Sequence, residues 1–424
     1  MTTLDPKTNH PLPAKISGTD LLIFFLLAVA IRLSTLPYWF VLPPGGDEMT
    51  YWTSAVKIAA GNFKPDFLHP PLWPYVLSLA ASLSVNPLIG RLLTVLLLSS
   101  TVPLLYLVGT RVFDRKTGSI AAWLYLLYPN HIAFSHYLWA EPLAALLILI
   151  AVYFFFDGIL ENVRWGNVLL ASLLAGLCML VKESGFILFV SFLVVLMTVP
   201  IKKKWLLCVL AIIVFAALPV AHSILASHQA KKQIVVASAF MNNSRRATEG
   251  KIAFQNPRRE IIPLFFRRYK GRFFYEKTVT VVRNFYNLWQ PTSFPISRLL
   301  HNNRDFGNYH APHAETLAYV AAGFYIFAVV MGLTGICFGT PSPFRRFAIS
   351  NLTLLSAASL AFLLCTRFRL PFIYLFILYG AAVAADPRAF FKRFGWLRAL
   401  TWLALVALFI HIVLTRWSQF GYLG

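Results

Sequence analysis

The chain has 424 residues, 58% hydrophobic and only 13% charged, with a mean hydropathy of +0.66. That composition excludes a soluble enzyme and predicts an integral membrane protein. The net charge is +22, and much of it falls in one region, 226–315, with roughly fifteen Lys and Arg against about five acids. A polar tail of about twenty residues precedes the first apolar run, Leu21 to Leu36, which no small-residue cleavage site follows and which is expected to remain as a first span. Arg32, near its outer end, is expected to snorkel to the interface. Further apolar runs of ~17 to 25 residues, enough to cross a ~30 Å hydrocarbon layer, follow at 88–110, 117–135, 138–156, 166–182, 185–200, 205–225, 315–338, 346–365, 370–386 and 396–415. The fold class predicted is therefore all-α, a polytopic helical bundle of about eleven spans. Pro70 to Val85, short and rich in proline, with Trp73 and Tyr75, reads as an interfacial helix in the first extracytoplasmic loop.

Between the first two spans lies the polar stretch GGDEMTYWTSAVKIAAGNFKPDFLHPPL, Gly45 to Leu72. Asp47 and Glu48 follow two prolines and two glycines, a context that predicts a tight loop holding a carboxylate outward. His69 precedes Pro70 and Pro71, where fixed φ angles and missing amide donors stiffen the chain. Further ionisable residues stand at span ends: Glu141 in YPNHIAFSHYLWAEPL, Lys182 and Glu183 in KESG, and Arg367 and Arg369 in TRFRLPF. Burying such groups costs several kcal/mol unless a partner or a function offsets it.

Span parity gathers these residues on one face. The short loops with Arg111, Arg115 and Lys116, with Lys202 to Lys204, with Arg345 and Arg346, and with Arg388, Lys392 and Arg393 are expected on the cytoplasmic side. With Pro70 to Val85 interfacial, the amino terminus is inside and the Asp47 loop outside; if that stretch spans, both exchange sides. The first scheme is favoured, because Asp47, Glu48 and Asp66 make the loop slightly acidic while the tail carries Lys7 and Lys15.

Each site residue also has a purely structural reading. Asp47 has the alternative of a solvated loop acid, which its glycine and proline frame disfavours, Glu141 that of a complement to a helix dipole, Lys182 with Glu183 that of an interfacial charge pair, and the two arginines that of head-group anchors. RFR before Pro371 predicts an extended run in which Arg367 and Arg369 point the same way and fork onto one phosphate. His131 and His136 read as polar interface residues, with no spacing that completes a metal site. The four cysteines fall inside apolar runs and read as small hydrophobes. Phe265 to Lys277, FFRRYKGRFFYEK, interleaves aromatic and cationic residues as a segment facing anionic head groups does; no nucleic-acid module is visible. Nor is there a Gly-rich phosphate loop or an internal repeat, which argues against a nucleotide-driven pump.

GDExxYxxxA at Gly46 to Ala55, GNF and HPPL up to Leu72, the YP turn with its downstream acid at Tyr128 to Glu141, KESG at Lys182 to Gly185 and RFRLP at Arg367 to Pro371 resemble the polytopic GT-C glycosyltransferases. The nearest branch in that resemblance is the protein mannosyltransferase and aminoarabinose transferase one. It implies a GT-C module over 1–225 with a catalytic loop at 37–87, a basic extracytoplasmic loop at 226–315 that determines the acceptor, and carboxyl-terminal membrane helices at 316–424. It implies an inverting transfer of a hexose or pentose from a polyprenyl-phosphate donor to a glycan, lipid or protein acceptor at the extracytoplasmic face of a bacterial inner membrane. Asp47 would be the general base, Glu48 the second acid and Glu141 a group holding the acceptor or a cation. His69, Lys182, Arg367 and Arg369 would bind the donor phosphate. Relatives in the aminoarabinose branch have Lys before the prolines where this chain has His69. The partners implied are the lipid-linked donor, membrane lipids and the acceptor, without nucleic acid; no cofactor is identified and no metal constellation is evident, although some GT-C enzymes use a divalent ion. The rival readings are a transporter or flippase, and a ligase, of lipid-linked saccharides; the former predicts charges at the bilayer midplane and paired broken helices.

Overall fold

The computed structural model describes residues 17–37, 44–62, 70–230, 282–296, 314–361, 366–393 and 395–417. Among them there are helices and no strands. In chain order these are α1 (Gly18–Thr35), α2 (Asp47–Ala59), α3 (Leu72–Ala81), α4 (Pro87–Val112), α5 (Arg115–Leu126), α6 (Pro129–Phe134), α7 (Glu141–Ile159), α8 (Trp165–Met179), α9 (Ser184–Thr198) and α10 (Lys204–Ala230). Then come α11 (282–289), α12 (Ala314–Phe338), α13 (Pro343–Ala361), a 3-10 segment (Thr366–Phe372), α14 (Ile373–Ala385), α15 (Pro387–Phe391) and α16 (Trp396–Trp417). Several starts are written locally. Asn86 accepts from the Leu88 amide at 3.0 Å ahead of Pro87, and Asp114 accepts from that of Thr117 at 2.8 Å.

Seven of these helices, among the described residues, are long and apolar enough to cross a membrane. The all-helical polytopic architecture expected from composition is present, and the chain is an integral membrane protein. Four of the expected eleven spans do not reach that length and composition. The run 117–135 is interrupted at Leu127–Tyr128, where Pro129 starts the short α6; α8 and α9 have 15 residues each; α13 carries Arg345 and Arg346 in its first turn. The Pro70 to Val85 stretch contains a 10-residue helix, about 15 Å long and half a hydrocarbon layer.

Burial ranks the helices. In the span containing α14, 83% of the apolar window is buried, against 17% in α1 and 22% in α16, so α14 lies at the centre and the other two at the periphery. Close approach to α14 is made possible by Gly332 and Gly335 of α12: a Cβ on Gly332 would meet the Phe376 Cα at 2.5 Å, and one on Gly335 the Tyr379 carbonyl oxygen at 2.5 Å. Cys178, Cys208 and Cys337 are buried free thiols packed as small apolar groups.

Two expectations about polar side chains are corrected here. Arg32 does not snorkel: it is fully buried, donating to the Ala28 carbonyl at 3.0 Å and to His131 Nδ1 at 2.8 Å. His131 and His136 are likewise fully buried, the latter 2.9 Å from the Thr35 hydroxyl. Their partners come from α1, about a hundred positions away in sequence, which is why local sequence did not reveal the burial.

Candidate functional site

Asp47 does not sit in an open loop. It is the first residue of α2, entered through Gly46 at φ +58°, a conformation that favours glycine. Glu48, one position on, turns inward, is 1% exposed, and accepts from the Leu138 amide at 3.1 Å. The indole of Trp73 on α3 donates to the carbonyl of the same Leu138 at 2.9 Å. The turn leading to Glu141 is thereby held from both sides, and Glu141 starts α7 with Pro142 in its first turn. A carboxylate at this position is favoured by the exposed amides of the helix start.

Lys182 follows α8 in a turn that Gly185 makes possible, since a Cβ there would meet the Ala175 carbonyl oxygen at 2.5 Å. Its ammonium does not pair with the neighbouring Glu183 but is bonded to Glu141 Oε1 and lies 4.2 Å from the Phe368 ring centroid. Arg367 reaches the same acid from the 3-10 segment, its Nε 3.4 Å from Glu141 Oε1, while its Nη2 donates to Asp47 Oδ2 at 2.5 Å. The guanidinium lies among the rings of Trp139, Phe294 and Phe368, with centroids at 5.7, 5.7 and 5.5 Å. Four sequence-predicted residues, Asp47, Glu141, Lys182 and Arg367, thus form one cluster of two acids and two cations drawn from four segments of chain.

Arg369 leaves that cluster. The segment is 3-10, not extended, so positions two apart diverge by about two-thirds of a turn. Its guanidinium donates to the carbonyls of Leu288 at 2.9 Å, Gln290, and Thr292 at 3.0 Å, and stacks 3.7 Å from the Tyr325 ring centroid. The expected joint fork of both arginines onto one phosphate is corrected by this geometry. His69 and Phe265–Lys277 lie outside the described residues.

Tyr51, one turn after Asp47, has no role in the sequence reading beyond its place in GDExxYxxxA. Burial first, then the negative charge of Glu141, push its phenol well above the ordinary value; Asp47 and Glu183 add to this and Arg367 opposes it. The phenol is therefore a neutral hydroxyl beside the cluster. Its i+4 spacing from Asp47 was the signal that could have found it. No group of three or more His, Cys, Asp or Glu converges among the described residues.

The fold has counterparts among solved structures. The apo oligosaccharyltransferase of Archaeoglobus fulgidus superposes with a TM-score of 0.53 at 14% identity, over 93% of this chain and 55% of its own. The same enzyme in complex with Zn and sulfate gives 0.51 at 14% identity, over 92% and 52%. The fold is that of the GT-C glycosyltransferases. The chain spans about half the length of that archaeal GT-C enzyme. ArnT from Cupriavidus metallidurans, bound to undecaprenyl phosphate, aligns over 88% of this chain and 79% of its own at 13% identity and a TM-score of 0.44, too loose a likeness to build on. Residues 68–222 match the family model described as dolichyl-phosphate-mannose-protein mannosyltransferase. The matched region includes Glu141 and Lys182; Asp47 and Arg367 lie on either side of it. No curated protein sequence matches the chain.

Proposed function

We propose that the chain is an inverting glycosyltransferase that moves one sugar from a polyprenyl-phosphate donor to a hydroxyl acceptor at the extracytoplasmic membrane face. The observation that carries this reading is the cluster at the start of α2 and α7, where an acid with 35% of its side chain exposed, Asp47, stands beside cations suited to a phosphate. The mannosyltransferase family match supports a lipid monophosphate donor, and the GT-C fold supports glycosyl transfer.

In the reaction the acceptor oxygen forms a bond to the anomeric carbon as the bond from that carbon to the phosphate oxygen breaks. The bonding electron pair leaves on the phosphate, and the acceptor proton passes to Asp47. A positioned base of this kind contributes ~10² to 10⁴ in rate. Arg367 meets the charge growing on the leaving phosphate, and a guanidinium presents two parallel donors for it. Lys182 is bonded to Glu141, and this buried pair supports Arg367 from beneath as positioning residues. Glu48 acts through the Leu138 amide, as a positioning residue. Arg369 braces the 3-10 segment that presents Arg367, and His69 is a further candidate for the donor phosphate. Charges concentrated at one group of helix ends favour an enzyme over a flippase, which requires them at midplane.

Purified protein in nanodiscs, given a panel of polyprenyl-monophosphate sugars, is expected to release polyprenyl phosphate with one of them and a suitable acceptor. Release only from a polyprenyl diphosphate glycan would establish the ligase instead. Sidedness has its own test: a cysteine at Asn62, in the Asp47 loop, is expected to react with an impermeant thiol reagent in intact cells, whereas labelling only after lysis reverses the orientation.

A further inference from the structure

We propose that Arg367 is a latch on Asp47 that the donor phosphate opens, so that the base is freed only when the donor is in place. This rests on the transferase reading above and adds an order to it: donor first, acceptor second.

The charge inventory of the cluster motivates it. Two acids, Asp47 and Glu141, are in contact with two cations, Lys182 and Arg367. An incoming phosphate brings more negative charge, and the Arg367 Nη2 that would meet it already donates to Asp47 Oδ2. The two pairs differ in how readily they exchange. Lys182 and Glu141 have side chains 8% and 2% exposed, so parting them leaves an uncompensated buried charge, whereas Arg367 and Asp47 are 19% and 35% exposed and water can solvate the released acid. The Arg367–Asp47 pair is therefore the one a ligand breaks.

Local geometry suits a swing of this guanidinium. It is ringed by Trp139, Phe294 and Phe368 at 5.5 to 5.7 Å, so it can turn on aromatic faces without losing favourable contact. Its Nε lies 3.4 Å from Glu141 Oε1, so a second acid remains beside the guanidinium when Asp47 is displaced. A phosphate offers a bidentate match to the guanidinium that donates through Nη2 to Asp47 Oδ2. Until that exchange occurs, Asp47 Oδ2 accepts from Arg367, and the paired guanidinium opposes transfer of a proton onto that carboxylate. Competition of Asp47 and phosphate for one cation is a coupling free energy, and it is reciprocal: whatever phosphate does to the pair, loss of the pair does for phosphate.

That reciprocity has a measurable and unusual consequence. Affinity for undecaprenyl phosphate, used as the probe, is measured by titration calorimetry on full-length protein in nanodiscs for wild type, Asp47→Asn, Arg367→Gln and the double variant. Asp47→Asn, isosteric with the acid, is expected to bind the lipid phosphate about 5- to 10-fold more tightly than wild type. The double variant is expected to bind no more tightly than Arg367→Gln alone. Unchanged or weaker binding by Asp47→Asn overturns the latch, and so does tightening that persists in the double variant, since simple removal of repulsion then accounts for it. Sugar transfer by wild type is assayed in the same nanodiscs. Transfer without tightening sinks the latch and leaves the enzyme reading intact, whereas no transfer from any monophosphate donor sinks the reading itself.

Discussion

Two charged regions of this bundle, the Asp47–Arg367–Glu141–Lys182 cluster and the Arg32–His131 knot, solve the problem of burying a guanidinium in opposite ways. In the first, both cations meet carboxylates and the outer pair is partly open. In the second, Arg32 is completely buried and meets no carboxylate among the described residues. It depends instead on neutral acceptors arranged in a fixed direction. An arginine only donates, so His131 accepts at Nδ1, carries its proton on Nε2, and gives it to the Thr101 hydroxyl 3.3 Å away; Thr101 in turn donates to the Leu98 carbonyl at 2.5 Å. The Tyr125 ring covers the imidazole at 4.0 Å between centroids. The bonds of that chain run in one direction, so it works as a clasp between α1 and α6. Matched charges at a partly open edge can exchange for a ligand; unmatched charge held by neutral dipoles in a closed core cannot.

The largest test of this contrast is Asp47→Asn, which keeps size and hydrogen bonding but removes proton acceptance. Transfer normalised to monodisperse protein is expected to fall by ~10² or more while donor binding survives. Near-normal turnover ends its assignment as base. Next come the two arginines. Arg367→Ala is expected to lower specific activity ~10- to 10³-fold, with Lys restoring part of it because the ammonium lacks the planar fork. Arg369→Ala leaves three backbone carbonyls without their donor, so it is expected to reduce the yield of folded protein while activity per folded molecule stays near wild type. Equal losses of specific activity in both would show that the two side chains share one task after all.

Within the clasp, His131→Ala is expected to cost ~2 to 3 kcal/mol in thermal unfolding, since it strands a buried guanidinium, and to leave the specific activity of folded protein largely intact. His131→Gln retains an acceptor and should recover part of that stability; no difference between Gln and Ala would mean that the Arg32 bond is not what matters. The smallest effect belongs to Glu48→Gln. Its remaining carbonyl oxygen still accepts from the Leu138 amide, so activity is expected to change by no more than about fivefold, with Glu48→Ala clearly worse. Loss in Gln as deep as in Asp47→Asn would move Glu48 from a positioning role to a chemical one.

Much of this protein was legible in the order of its residues. Apolar runs announce membrane helices because each polar backbone group in lipid must be satisfied within its own segment, a requirement met one helix at a time. Proline and asparagine mark the start of α4, and span parity, a counting argument, assigned Asp47, Glu141, Lys182 and Arg367 to one face. Pairing was another matter. Arg367 meets Asp47 across 320 positions, Lys182 chooses Glu141 over its neighbour Glu183, and Arg32 finds His131 rather than the interface. Arg367 and Arg369 part because their segment tightens into a 3-10 turn, which nothing in RFRLP requires. Which side chain meets which depends on how far each helix is rotated about its own axis, and that angle is set by the packing of all its neighbours together, as where Gly332 and Gly335 admit α14. Local sequence encodes the cost of burying a residue, but only the assembled bundle decides with whom it is buried.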